Sequence, residues 1–147
     1  SVDNGVKFFE ERNLEFSHFL IQDAVRPCLE KEDLDKLLKL LGSEHDGMIL
    51  GFPVSDTLKK THYESSQIIK TVDRNNLWHS QTPQLFKKES LIKALNQTSR
   101  EKEFTDEAQL LESIGADLVL VKGSSRNIKL TYQDDLKTIK MIIKTEI

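Results

Sequence analysis

The stretch FSHFLIQDAVRP, at residues 16–27, decides the fold because it joins an apolar run directly to a polar, proline-closed end. The run FSHFLIQ is short, aromatic and aliphatic, which favours a buried strand in a sheet that is covered on both faces. Pro27 cannot donate to a sheet ladder and disfavours helix at Arg26, so the strand ends before it. The chain therefore leaves a buried strand and at once presents Asp23 and Arg26, which a surface turn does not need.

Strand-like and helix-like segments alternate along the rest of the chain. KEDLDKLLKLLG is an amphipathic helix pattern with Gly42 as its C-terminal cap, and GMILGF is a strand pattern that Pro53 ends. We also expect a first helix carrying Val2, Val6 and Phe9 on one face, further helices in KKESLIKALNQ, TDEAQLLESIG and YQDDLKTIKMIIK, strands in ADLVLV and NIKLT, and an extended, proline-broken stretch in NLWHSQTPQLF. This alternation predicts an α/β fold with a largely parallel sheet.

One segment, at about residues 54–75, departs from this alternation. Two β-like runs, DTLKKTH and QIIKTVD, flank the polar turn YESS, which is a hairpin signal. The segment is poor in apolar residues, so we expect it to project from the domain. Because a lone two-stranded ribbon is marginal in water, a second subunit is its natural support.

Length and composition describe one compact domain with a real core, since the chain has 147 residues and charges of both signs are interspersed. The net charge of -3 gives no basic field, so neither nucleic acid nor a membrane surface is an expected partner. The single cysteine, Cys28, cannot form an intrachain disulfide, which makes the reducing cytoplasm the expected compartment.

Asp23 and Arg26 are the first candidate functional residues, because ligands of open α/β sheets bind beyond the carboxyl ends of the strands. An aspartate suits a divalent metal ion, and an arginine can hold a phosphate through two parallel hydrogen bonds. The alternative is a structural turn, with Asp23 capping a loop and Arg26 solvated. Spacing alone leaves both readings open.

Lys129 and Thr105 are weaker candidates. Lys129 follows a Gly/Ser turn on the expected last strand, where it could neutralise a phosphoryl oxygen or simply extend its ammonium group to water. Thr105 at a helix start could offer a hydroxyl to an anion, although plain N-capping explains it equally well. The four histidines show no metal-ligand spacing, and the sequence holds no Gly-rich phosphate loop.

The ordered series QDAVRP, PVSDTLK, TVDRNNLWHSQTPQLF, TDEAQLLE and GSSRNIKLT resembles the 2-C-methyl-D-erythritol 4-phosphate cytidylyltransferases, from Ser1 almost to Ile147. The resemblance implies transfer of the cytidylyl group of CTP to methylerythritol phosphate, with Mg²⁺, in the non-mevalonate isoprenoid pathway. It also implies a Rossmann-like nucleotidyltransferase domain with a protruding β-hairpin arm, two of which interlock in a homodimer.

The resemblance assigns roles on the nucleotide side to four residues. Asp23 would sit near the metal and the diol of the acceptor, and Ala24 would contact the cytidine. Ser1 matches the family serine that contacts the cytosine base. Lys129 would stabilise charge on the α-phosphate during transfer.

On the acceptor side, the resemblance places Thr57 and Arg74 of the arm in the partner's active site, where they would hold the methylerythritol phosphate. Thr105 and Lys129 would complete that pocket from the home subunit, and Arg26 would hold the region around it. Thr82 lies in the matching QTPQ stretch, and its role stays open.

The sequence also departs from the family pattern. Gln22 and Val25 stand where histidine and alanine are usual, and the family's first strands and Gly-rich phosphate loop have no counterpart in this sequence. We therefore expect residues 1–147 to be the C-terminal part of a single cytidylyltransferase domain, inactive alone and active in the full-length protein. Two alternatives remain: a ribitol-5-phosphate cytidylyltransferase, and a non-catalytic dimerisation or binding module.

Overall fold

The computed structural model describes residues 2–12, 14–98 and 103–145. The elements, in chain order, are α1 (Val2–Glu11), β1 (His18–Ile21), α2 (Lys31–Leu38), β2 (Gly47–Pro53), β3 (Leu58–Thr61), β4 (Ile68–Val72), β5 (Trp78–Lys87), α3 (Lys88–Gln97), α4 (Glu107–Glu112), β6 (Leu118–Lys122) and α5 (Gln133–Lys144). The predicted helices and the α/β class are confirmed. The predicted cap glycine Gly42 has a φ of 88°, and Gly115, which follows α4, has a φ of 74°.

The main sheet has four strands in the order β1-β5-β2-β6. Strand β5 is antiparallel to both of its neighbours, whereas β2 and β6 pair in parallel. The expectation of a largely parallel sheet is therefore wrong for how the strands pair, because among the described strands only β2 and β6 pair in parallel. Strands β1, β2 and β6 do run in the same direction, but an antiparallel strand separates β1 from the other two.

Strand β5 is the element that the sequence pattern did not predict as a strand. Residues 78–87, expected to be an extended stretch, form a central strand that is buried from Gln81 to Phe86. Pro83 argued against a central strand because it has no N–H to donate. The pairing accommodates it at an irregularity, since Ile49 lies opposite Gln84 and Gly51 opposite Ser80, so that the register shifts around the proline.

Two hydrophobic clusters cover the two faces of the sheet. Ile49 and Phe86 pack with Val6, Leu91 and Leu111 of three helices on one face. On the other face, Met48, Leu50 and Leu85 pack with Leu37 of α2. Because side chains alternate along β2, residues 48, 49 and 50 contribute to the two clusters in turn, and the sheet is covered on both sides.

Strands β3 and β4 form a separate two-stranded sheet, which we call the arm. This confirms the predicted hairpin. The arm buries little of its own surface: the side chain of Ile68 is 61% exposed and Tyr63 is fully exposed. By contrast, the predicted strand NIKLT is wrong, because residues 127–131 have no regular secondary structure.

Candidate active site

A cleft of about 670 Å³ opens beyond the carboxyl end of β1. Asp23, Arg26, Thr105 and Lys129 all line it, together with Thr82 of β5. Four of the predicted site residues, drawn from three distant parts of the chain, therefore meet in one cavity. Their convergence favours the functional reading of Asp23 and Arg26 over that of a solvated surface turn.

Asp23 lies between two cations. Its Oδ2 atom is 3.1 Å from Lys129 Nζ and 3.5 Å from Arg26 Nε. Burial lowers the pKa of the Arg26 guanidinium, and the neighbouring Asp23 carboxylate opposes that shift. Two cations against one carboxylate leave a local positive charge, which suits a phosphate group.

The turn after β1 is fixed by hydrogen bonds at both ends. The Asp23 N–H donates to Thr82 Oγ1 at 2.9 Å, and the Arg26 N–H donates to the Asp23 carbonyl at 3.1 Å. The Gln22 side chain donates to the Arg26 carbonyl at 3.1 Å. Gln22, which departs from the family pattern, thus takes part in the turn without lining the cleft.

The opposite wall is the start of α4, where one expectation is wrong. Thr105 is not the N-cap: Asp106 is, and its Oδ1 accepts from the Gln109 N–H at 2.9 Å. Thr105 instead donates from its hydroxyl and its N–H to Gln109 Oε1. Residue type could not separate the two, because threonine and aspartate are both common N-cap residues.

Asp106 also ties α4 to the sheet. Its Oδ2 accepts from Ser80 Oγ at 3.2 Å and from Gln84 Nε2 at 3.0 Å. Beside it, burial raises the pKa of Glu107, and the carboxylates of Asp106 and Asp23 raise it further. The acidic end of α4 and the cationic pair on Asp23 therefore form two walls of unlike charge.

A divalent metal ion would fit beside Asp23 only with help from a substrate. Within the described ranges, no cluster of three or more His, Cys, Asp or Glu side chains could hold a metal. Mg²⁺ commonly takes one or two carboxylates and obtains its remaining ligands from water and substrate phosphates. A single aspartate next to an anion-attracting pair matches that kind of site.

The remaining predicted residues lie elsewhere. Thr57 precedes β3 and Arg74 follows β4, both exposed, and since Leu58 lies opposite Val72 they sit together at the base of the arm. They do not line the cleft of their own subunit. Ala24 is exposed in the turn between Asp23 and Arg26, and Ser1 lies outside the described residues.

Comparisons with known proteins agree with this geometry. The sequence model of the 2-C-methyl-D-erythritol 4-phosphate cytidylyltransferase family matches residues 1–145. The chain belongs to this family. An enzyme of that name from Wigglesworthia glossinidia brevipalpis is 46% identical over 144 residues, which are 97% of this chain and 60% of that protein. One from Buchnera aphidicola is 43% identical over 129 residues, which are 87% of this chain and 54% of that protein.

Solved structures give the same result. A 4-diphosphocytidyl-2C-methyl-D-erythritol synthase superposes with a TM-score of 0.85 at 40% identity, covering 97% of this chain and 64% of that one. The Francisella tularensis cytidylyltransferase gives a TM-score of 0.85 at 30% identity, covering 97% of this chain and 66% of that one. The fold is therefore that of the family's Rossmann-like nucleotidyltransferase domain, although the chain spans only about 54–60% of the length of the two relatives named above.

No helix in the part of the chain that the structure describes is long and apolar enough to cross a membrane.

Proposed function

We propose that the whole protein transfers the cytidylyl group of CTP to 2-C-methyl-D-erythritol 4-phosphate, giving CDP-methylerythritol and pyrophosphate. The observation that carries this proposal is the pairing of Arg26 and Lys129 on Asp23 in the cleft of a chain that belongs to this family. That arrangement binds anions at a strand end, which is where a nucleotide and a phosphorylated acceptor would meet.

The reaction is an in-line displacement at phosphorus. A phosphate oxygen of the acceptor attacks the α-phosphorus of CTP and forms a new P–O bond, while the bond to the bridging α–β oxygen breaks and pyrophosphate leaves with its electron pair. The protein contributes mainly alignment and stabilisation of charge. Lys129 is the residue that we assign to the charge that builds on the α-phosphate.

Asp23 has two tasks in this proposal. Its carboxylate orients Lys129 and Arg26, and it is the residue that would hold a divalent ion. A divalent ion held there would supply positive charge that offsets the negative charge of the phosphates. Thr105 and Arg26 would bind the acceptor from the home subunit, and Ala24 with Ser1 would contact the cytidine.

The arm serves a second copy of the protein. We infer a homodimer in which Thr57 and Arg74 of one subunit reach the cleft of the other and bind the acceptor phosphate. Their exposure at the arm base, away from their own cleft, supports this arrangement. We place the enzyme in the cytoplasm, where the buried thiol of Cys28 would stay reduced.

The test is pyrophosphate release by the full-length gene product with CTP, Mg²⁺ and methylerythritol phosphate. The same assay is run with ribitol 5-phosphate as acceptor, with the 147-residue chain, and with full-length Arg74→Ala. We expect activity with methylerythritol phosphate in the full-length protein alone, and its loss on Arg74→Ala. Activity only with ribitol phosphate would assign the sister enzyme, and inactivity with both acceptors would favour a binding module.

A further inference from the structure

Asn127 is the residue that joins the two loops of the cleft. It is fully buried, and its Nδ2 donates to the Thr82 carbonyl at 2.8 Å. Its own carbonyl accepts from Arg26 at 2.8 Å and from Gln81 Nε2 at 3.2 Å. Asn127 does not line the cleft. It nevertheless connects β5, the turn after β1 and the segment that carries Lys129.

Thr82 is the common anchor of that connection. Its carbonyl accepts from Asn127, and its hydroxyl accepts from the Asp23 N–H at 2.9 Å. Asp23 and the segment that carries Lys129 are therefore both hydrogen-bonded to the same residue of a central strand. These two hydrogen bonds, with those from Arg26 to the Asn127 carbonyl and from Leu130 to the Val25 carbonyl, link the segment of Asp23 to the segment of Lys129.

Lys129 needs such an anchor because its segment is not part of a sheet. Residues 127–131 have no ladder of backbone hydrogen bonds, although Leu130 donates one to the Val25 carbonyl at 2.9 Å. The Lys129 side chain is 50% exposed, so packing alone does not fix its ammonium group. Asn127 on one side and Leu130 on the other hold the backbone from which that side chain extends.

We propose that Asn127 is a positioning residue that sets Lys129 against Asp23, and so aims the lysine at the α-phosphate of the nucleotide. The effect of Asn127 on turnover rests on the proposed cytidylyl transfer, whereas its effect on the position of Lys129 does not. Small displacements of a charge-stabilising group have large effects on rate, so Asn127 acts on turnover more than on binding.

The first test reads the position of Lys129 without any substrate. Lysines of the full-length protein are reductively ¹³C-methylated, and the Lys129 signal is assigned by its absence from Lys129→Arg. We expect Asn127→Leu to move this signal in the direction that Asp23→Asn moves it, since both weaken the Asp23–Lys129 pair. Ser90→Ala, which removes a hydrogen bond to Asp46 at the other end of β2, should leave the Lys129 signal in place.

The second test uses the kinetics of the same proteins. We expect Asn127→Leu to lower kcat about tenfold or more, with the KM for CTP little changed. In a Lys129→Ala background the same substitution should lower kcat much less, because residues that act through one another are not additive. Asn127→Ser, whose hydroxyl is too short to reach Thr82, replaces Asn127→Leu if that variant does not fold.

Two outcomes overturn the proposal. One is an unchanged Lys129 signal in an Asn127 variant whose thermal stability has fallen. The other is an equal fold-loss of kcat with and without Lys129, which a purely structural role would give. If the wild-type protein released no pyrophosphate, the proposed reaction would fail, yet the NMR comparison would still decide the role of Asn127.

Discussion

Phe86 in the main sheet is fully buried and packs with residues of three helices, whereas Ile68 in the arm keeps 61% of its side chain exposed. The candidate site residues of the cleft and of the arm differ in the same way, because contacts within the subunit hold those of the cleft. Asp23 has two ion pairs and a backbone hydrogen bond to Thr82, while Thr57 and Arg74 stand exposed at the arm base. The sheet and cleft fix their geometry within one subunit, whereas the arm presents exposed residues that we propose a second subunit holds.

Truncating one apolar side chain in each region tests this difference most directly. Phe86→Ala should reduce the free energy of unfolding by about 3–5 kcal/mol, because it leaves a cavity between two layers. Ile68→Ala should change the stability of the dissociated subunit by less than about 0.5 kcal/mol, because the side chain is already in water.

Denaturant unfolding of the full-length variants measures both stability effects, and sedimentation at several concentrations measures self-association. Ile68→Ala should weaken self-association, since the exposed isoleucine is the kind of residue that an interface buries. A loss of subunit stability in Ile68→Ala equal to that in Phe86→Ala would mean that the arm packs on its own domain.

Mixing subunits tests the same difference through activity: Lys129 should act in its own subunit's cleft and Arg74 in the partner's. In the proposed homodimer, Lys129→Ala and Arg74→Ala should each lower activity about 100-fold, since each removes a charge that the proposed reaction uses. In a mixed dimer, one cleft has an intact Lys129 and receives an intact Arg74 from its partner's arm. About a quarter of wild-type activity should then return, because half of the randomly formed dimers are mixed and each has one intact site.

The control is a mixture of Lys129→Ala with Asp23→Asn. Asp23 and Lys129 line the same cleft of one subunit, so in a mixed dimer each of the two clefts carries one defect and no activity should return. No recovery in the Arg74 mixture would show that the arm acts on its own subunit. Recovery in the control would show that Asp23 and Lys129 do not serve the same cleft.

The sequence predicted those elements whose evidence is local. The arm, five helices and strands β1, β2 and β6 follow from periodicity, and the hairpin turn and cap glycines follow from residue type. Strand β5 was missed because Pro83 contradicts a central strand unless the pairing is irregular there. Two steps along β2, from Ile49 to Gly51, oppose four steps along β5, from Gln84 to Ser80, and the β2 residues lie more than 30 positions before Pro83 along the chain. Long-range pairing decided the outcome against local propensity.

For the candidate site, too, the sequence predicted some residues and missed others. Asp23, Arg26, Thr105 and Lys129 came from motifs, and the cleft brings all four together. Asn127 and Asp106 were missed although both lie within or beside the same motifs. Their importance rests on hydrogen bonds to Thr82 and Gln84, and neither contact leaves a spacing signal in the sequence.

A smaller contrast concerns hydrogen bonds made by serine. Ser90 Oγ donates to Asp46 Oδ1 at 2.5 Å, and this bond, with the one from the Asp117 N–H, lowers the pKa of Asp46. A lowered carboxyl pKa stabilises the fold above the unfolded-state value and loses that contribution as pH falls through the folded-state value. Ser90→Ala should therefore cost about 1 kcal/mol at pH 7 and less below pH of about 4.

The matched variant is Ser65→Ala in the arm turn, where the hydroxyl accepts a long hydrogen bond of 3.4 Å from the Gln67 N–H in full contact with solvent. Its unfolding free energy should match wild type at both pH values. A deficit for Ser90→Ala that did not shrink in acid would mean that packing, and not the charged hydrogen bond, explains its effect.

The smallest expected effect separates a glutamate of the cleft from one of the arm. Burial, with Asp106 and Asp23 nearby, raises the pKa of Glu107, so ionisation disfavours the folded state once pH exceeds the unfolded-state value. Glu107→Gln should therefore raise Tm at pH 7, by on the order of 1 °C, and lose that advantage below pH of about 4. Glu64→Gln, in the exposed arm turn, should leave Tm unchanged at both values. A stabilisation of Glu107→Gln that persisted in acid would trace its effect to shape or hydrogen bonding, and the acidic wall of the cleft would then carry no energetic cost for the fold.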